Sequence, residues 1–100
     1  MKKIFFLLVF LFLSELSLAD SKLDLGLKIF NEKAECGTCH TLKAVGSNSN
    51  IGPNLDQLRP TFEQIVHAVK NGIGVMQAWE GILTAEEIEA VAYYVSVSSE

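Results

Sequence analysis

Basic side chains are scarce in this 100-residue chain, eight against twelve acidic ones, and cysteine, proline and tryptophan are scarcer, at two, two and one. The shortage of positive charge argues against nucleic acid as a partner, because phosphate recognition requires a basic footprint. Two cysteines allow one disulfide at most in an exported chain. Neither an internal repeat nor a low-complexity stretch follows Asp20, so one small domain is the simplest account. No apolar run approaches the roughly 20 residues that a bilayer-spanning helix needs. The longest, Ile4 to Leu13, is about half that length and is soon followed by Glu15.

That run belongs to a targeting signal. Met1-Lys2-Lys3 supplies a positive start, the apolar run follows, and Ser17-Leu18-Ala19 offers small residues at the spacing a signal peptidase reads. The expected organisation is a signal peptide over 1–19, cleaved after Ala19, and one domain over 20–100 secreted across the inner membrane into the periplasm. An uncleaved anchor is the alternative. Without residues 1–19 the chain has six basic and eleven acidic side chains, a formal charge of −5. Such a chain suits a partner with a basic docking surface. About 80 residues make a thin core, which commonly needs a disulfide, a metal or a cofactor.

Apolar periodicity and caps predict three main helices and an all-α fold. The first covers roughly Lys22 to Lys33, with Leu23, Gly26, Leu27 and Phe30 on one stripe. Gly26 interrupts that stripe at a cost of about 1 kcal/mol against Ala, which points to close approach of another backbone. The second begins after Arg59-Pro60, with Thr61 and Gln64 in capping-box positions and Phe62, Ile65, Val66 and Val69 facing inward, and Asn71-Gly72 ends it. The third begins at Thr84, with Glu87 completing a capping box, Leu83 and Ile88 as a staple, and Ile88, Val91, Ala92 and Val95 as its stripe. Between them, 41–58 and 72–83 are long connections without periodicity, as expected of loops wrapped around something other than protein.

Cys36-Gly37-Thr38-Cys39-His40 is a C-x-x-C-H segment. Two thiols one turn apart can add to the two vinyl groups of haem, while the next residue reaches the iron. A thioredoxin-like pair would want a βαβ context, and half a zinc site would want a second pair of soft ligands; the sequence has neither. One covalent haem c is therefore expected, with His40 as an iron ligand.

An electron carrier also needs a sixth ligand. Once Met1 leaves with the signal, the remaining candidates are Met76 and His67. His67 groups with Glu63 and Lys70 on the polar side of its helix and reads as a solvated histidine. Met76 sits in a loop introduced by Gly72 and Gly74, where backbone can approach a flat ring, and is the expected ligand, with a core-filling methionine as the alternative. In Gly52-Pro53-Asn54-Leu55, the Pro53 carbonyl is the candidate partner for the other ring N–H of His40; an ordinary turn is the plain reading. Arg59 could reach a propionate or lie in solvent. Trp79 could pack on the haem edge or bind a propionate, although a core aromatic is the ordinary explanation.

With these features, the mature chain resembles a class I c-type cytochrome of the small soluble bacterial mono-haem type. The resemblance rests on the Gly26 and Phe30 helix, C-x-x-C-H, Gly-Pro-Asn-Leu, the glycine-led methionine loop, Leu-Thr-x-x-Glu-Ile, and the closing Ala-Tyr-Tyr-Val helix. It implies a small cytochrome c fold around one haem, with the first and last helices crossing at Gly26 and Tyr94. The family usually has proline after the ligand methionine, where this chain has Gln77. The expected function is a monomeric, non-enzymatic carrier that shuttles single electrons between a redox donor and acceptor, touching the membrane only through partner complexes. A haem subunit of a periplasmic dehydrogenase, or a ligand sensor or peroxidase, are the alternatives.

Overall fold

The computed structural model describes residues 18–99. The expected signal segment therefore lies, apart from Leu18 and Ala19, outside the described residues. None of the described helices is long and apolar enough to cross a membrane.

The first helix, α1, is helical over 18–28 and ends in one π-helical turn, Ile29–Lys33, closed by the Ala34 N–H on the Ile29 carbonyl at 2.9 Å. Ile29 and Phe30, at the start of that wide turn, are both buried. The single stripe expected from periodicity held Phe30 and omitted Ile29.

Two short antiparallel strands follow, β1 (Thr41–Leu42) and β2 (Ser47–Asn48), pairing Thr41 with Asn48 and Leu42 with Ser47. A one-turn helix, α2 (Leu55–Leu58), comes next, its N-terminus capped by the Asn54 side chain. These elements were not expected, because strands of two residues and a helix of four are too short to show a period.

Helices α3 (Phe62–Asn71) and α4 (Ala85–Ser98) begin where the sequence placed them. Thr61 with Gln64, and Thr84 with Glu87, form complete capping boxes. Leu83 and Ile88 are both buried, as a staple requires. The core joins Ile29 and Phe30 of α1, Leu42, Leu55, Ile65 and Val69 of α3, and Ile88, Val91, Ala92, Tyr94 and Val95 of α4. The fold is mostly helical, as expected: the three main helices are α1, α3 and α4, and the one-turn α2 makes four among the described residues.

Gly26 is where α1 meets α4. A Cβ there would overlap the Ala90 carbonyl oxygen and stand 2.5 Å from the Tyr94 Cβ. Surface contacts flank the crossing at the two ends of α1. Lys22 Nζ lies 5.3 Å from the Tyr93 ring centre and 5.8 Å from that of Phe62, and Lys33 Nζ donates to Glu87 at 2.6 Å.

Candidate haem-binding site

The C-x-x-C-H segment leaves α1 through Glu35, whose φ of 49° turns the chain sharply. Cys36–Thr38 then form one tight helical turn. The N–H groups of Cys39 and His40 both donate to the Cys36 carbonyl, at 3.1 and 3.0 Å. The two cysteines thus stand one turn apart, as free thiols, with His40 next along the chain. Burial pushes the Cys36 thiol up to about 11, with the neighbouring Cys39 adding to the rise.

His40 is gripped from the 51–54 segment. Its Nδ1 lies 2.7 Å from the Pro53 carbonyl oxygen. A carbonyl can only accept, so Nδ1 carries the proton and donates, which leaves Nε2 as the ring nitrogen that can bind a metal. Gly52 lies against the same ring. A Cβ at Gly52 would be 2.6 Å from the His40 Cε1 and 2.9 Å from Nδ1, and the Gly52 N–H donates to the Cys39 carbonyl at 2.7 Å. The sequence reading identified Pro53 but missed Gly52; the visible signal was a glycine directly before that proline.

Asn54 fixes the chain immediately beyond. Its side-chain oxygen accepts from the N–H groups of Asp56 at 2.9 Å and Gln57 at 3.3 Å, so it acts as the cap of α2. Asp56 is buried, and its Oδ2 accepts from the Lys43 N–H at 2.9 Å, tying α2 to the segment after β1. Arg59 closes α2 in the left-handed region with φ 48° and is exposed.

The 72–83 connection is more ordered than a loop. Ile73 and Met76 exchange backbone hydrogen bonds in both directions, at 3.1 and 2.9 Å, around the tip Gly74-Val75. Trp79 N–H donates to the Val69 carbonyl at 2.8 Å, hanging the segment from the end of α3. Cys36, Met76 and Trp79 are half-buried and border the same apolar core. His67 lies apart on the exposed face of α3, beside Asn71 at 3.2 Å.

Two thiols one turn apart, followed by an imidazole whose Nδ1 is held by a carbonyl so that Nε2 is left to bind, fit a covalently held haem.

The model of the family described as cytochrome c oxidase, cbb3-type, subunit III matches residues 21–95, and the chain belongs to this family of c-type cytochromes. It is a small mono-haem c-type cytochrome, an electron-transfer haem protein. Among its relatives, cytochrome c6 of Tetradesmus obliquus is 36% identical over 82 residues, covering 72% of this chain and 88% of that one. Chloroplastic cytochrome c6 of Chlamydomonas reinhardtii is 34% identical over 89 residues, covering 79% of this chain but 56% of the longer relative. The crystal structure of the c-type cytochrome SorU from Sinorhizobium meliloti superposes with a TM-score of 0.76 at 50% identity, covering 80% of this chain and 93% of that one.

Proposed function

We propose that the protein is a periplasmic carrier of single electrons, exported by residues 1–19 and folded over 20–100. Cys36 and Cys39 hold haem c through thioether bonds, and His40 and Met76 ligate its iron. When bound, haem c supplies reversible one-electron exchange. The chain supplies the rest. The Pro53 carbonyl, 2.7 Å from His40 Nδ1, is the observation that carries this reading, since it fixes the tautomer and orientation a ligand imidazole requires. Gly52, bare of a side chain, leaves room for the ring, and Asn54 sets the course of the chain that delivers the carbonyl.

Met76 contributes a soft, neutral sulfur that favours the reduced iron, and the apolar core beside it limits solvent access. With His40 and Met76 both bound to the iron, no coordination site would be left for a substrate, which favours a carrier over an enzyme. Trp79, like Met76, packs against the apolar core, and Arg59 at the exposed end of α2 is the side chain proposed to meet a propionate. A monomer of charge −5 favours donors and acceptors with basic docking surfaces.

A second reading, a haem subunit held in a larger complex such as a periplasmic dehydrogenase, is favoured by the matched family's description as a subunit. Purification at native expression separates the two: a free carrier elutes alone, and a subunit brings a large partner with it. For the carrier itself, rapid reversible one-electron oxidation without turnover of peroxide is expected. Peroxidase activity in the intact holoprotein would overturn it.

A further inference from the structure

Gly72 is placed unlike any other glycine in the chain. It ends α3, its N–H donating to the Ala68 carbonyl at 2.8 Å, and its φ of 76° with ψ of 161° lies in a region open essentially to glycine alone. It is also crowded by the methionine loop. A Cβ at Gly72 would stand 2.6 Å from the Met76 carbonyl oxygen, 2.8 Å from the Ala78 nitrogen and 2.9 Å from the Gln77 carbonyl carbon. Three consecutive residues of backbone therefore lie across the face a side chain would fill. All three contacts are with backbone, so a methyl could not be accommodated by rotating a side chain.

The same short segment is held at both ends. Ile73 and Met76 close the turn by two reciprocal bonds, and the Trp79 N–H reaches back to Val69 in the last turns of α3. Glu80 N–H adds a longer bond to the Lys70 carbonyl at 3.4 Å. The clasp places Met76 at the edge of the apolar core while its neighbours Val75 and Gln77 stay exposed. Proline after the methionine would stiffen such a loop by restricting the chain on either side of it. Gln77 cannot do this.

We infer that Gly72 is the positioning residue for the Met76 sulfur, its bare α-carbon letting the Met76–Ala78 backbone seat against the end of α3 and so giving this chain the loop rigidity that proline would otherwise provide. The inference rests on Met76 being the sixth ligand. Gly74 is the natural comparison, because it also has positive φ, at 56°, yet nothing lies within 4 Å of its added Cβ.

The test compares the holoproteins of Gly72→Ala, Gly74→Asn, Gln77→Pro and Met76→Ala by far-UV circular dichroism, the red-edge charge-transfer band of the oxidised form, and carbon monoxide binding to the reduced form. Gly72→Ala should stay helical yet lose or weaken the band, and its carbon monoxide affinity should rise by about tenfold or more, in proportion to the fraction of molecules with the sixth position open. Gly74→Asn should match the wild type, and Gln77→Pro should gain no further protection of the sixth position from carbon monoxide. A wild-type band and affinity in Gly72→Ala would overturn the inference. So would a fall in carbon monoxide affinity of about tenfold in Gln77→Pro, which would mean the native loop is loose. If Met76→Ala keeps the band, the ligation reading fails first and takes the inference with it; if Met76→Ala loses it while Gly72→Ala does not, the inference alone fails. Should Gly72→Ala not fold, amide exchange in the wild-type holoprotein decides. The N–H groups of Ile73, Met76 and Trp79 should be protected by about a hundredfold or more, and exchange at unprotected rates would refute the clasp.

Discussion

Gly26 of α1 and Tyr94 of α4 are packed so closely that a Cβ on the glycine would lie 2.5 Å from the tyrosine Cβ. The rings of Phe30 and Tyr94 meet one turn further along, with centroids 6.4 Å apart and tilted by 55°. This crossing joins the first and last helices of the domain and sets the position from which the C-x-x-C-H segment departs.

Gly26→Val should therefore be strongly destabilising. Two methyls and a β-branched stem would force the backbones of α1 and α4 apart, an overpacking cost of about 1 to 3 kcal/mol or more. Denaturant unfolding of the holoprotein checks it. A change below about 0.5 kcal/mol, as at a surface position, would contradict the crossing.

Gly52→Ala should disturb the imidazole rather than the helices. Its methyl would occupy space 2.6 Å from the His40 Cε1, and the ring must turn away from the Pro53 carbonyl to admit it. In the reduced holoprotein, the His40 Nδ1 proton should be a slowly exchanging NMR resonance, and Gly52→Ala should broaden or lose it. Equal exchange in both proteins would show that the Pro53 bond survives the methyl.

The Lys33–Glu87 pair predicts a pH dependence. The hydrogen bond from Lys33, followed by that from the Thr84 backbone, holds the Glu87 carboxyl below its ordinary value. A carboxyl depressed in the folded state contributes stability above its unfolded pKa, near 4.3, and loses it as pH falls through the lower folded value. Unfolding midpoints should thus decline on acidification below pH about 4.3. Glu87→Gln retains a capping-box residue but has no carboxylate to titrate, so its decline should be shallower. Parallel pH profiles for the two proteins would exclude the pair as a source of acid sensitivity.

The sequence was most legible where structure is decided within a few residues. Thr61 with Gln64 and Thr84 with Glu87 are local hydrogen-bonded boxes, and both helices start where these pairs stand. The π-helical turn at Ile29–Lys33 was not legible, because burying both Ile29 and Phe30 depends on what α1 packs against. Within 41–58, β1, β2 and α2 are too short to carry a period, and they are set by contacts such as Asp56 with the Lys43 N–H. At the site, cysteine, histidine and methionine announce their chemistry by type. Gly52 and Gly72 act through the absence of a side chain, and only the close backbone and ring contacts around them reveal the role.

The central claim is that Met76, and not His67, is the sixth ligand of a haem held by Cys36, Cys39 and His40, and the most direct test is an absorption spectrum with potentiometric titration of the holoproteins of Met76→Ala and His67→Ala. Thioether ligation favours ferrous iron, so removing it should abolish the red-edge charge-transfer band, lower the reduction potential and open the reduced form to carbon monoxide. His67 is exposed on α3 beside Asn71, and His67→Ala should leave band, potential and carbon monoxide binding as in the wild type. A Met76→Ala protein with the wild-type spectrum and potential, together with a His67→Ala protein that has lost both, would contradict the account.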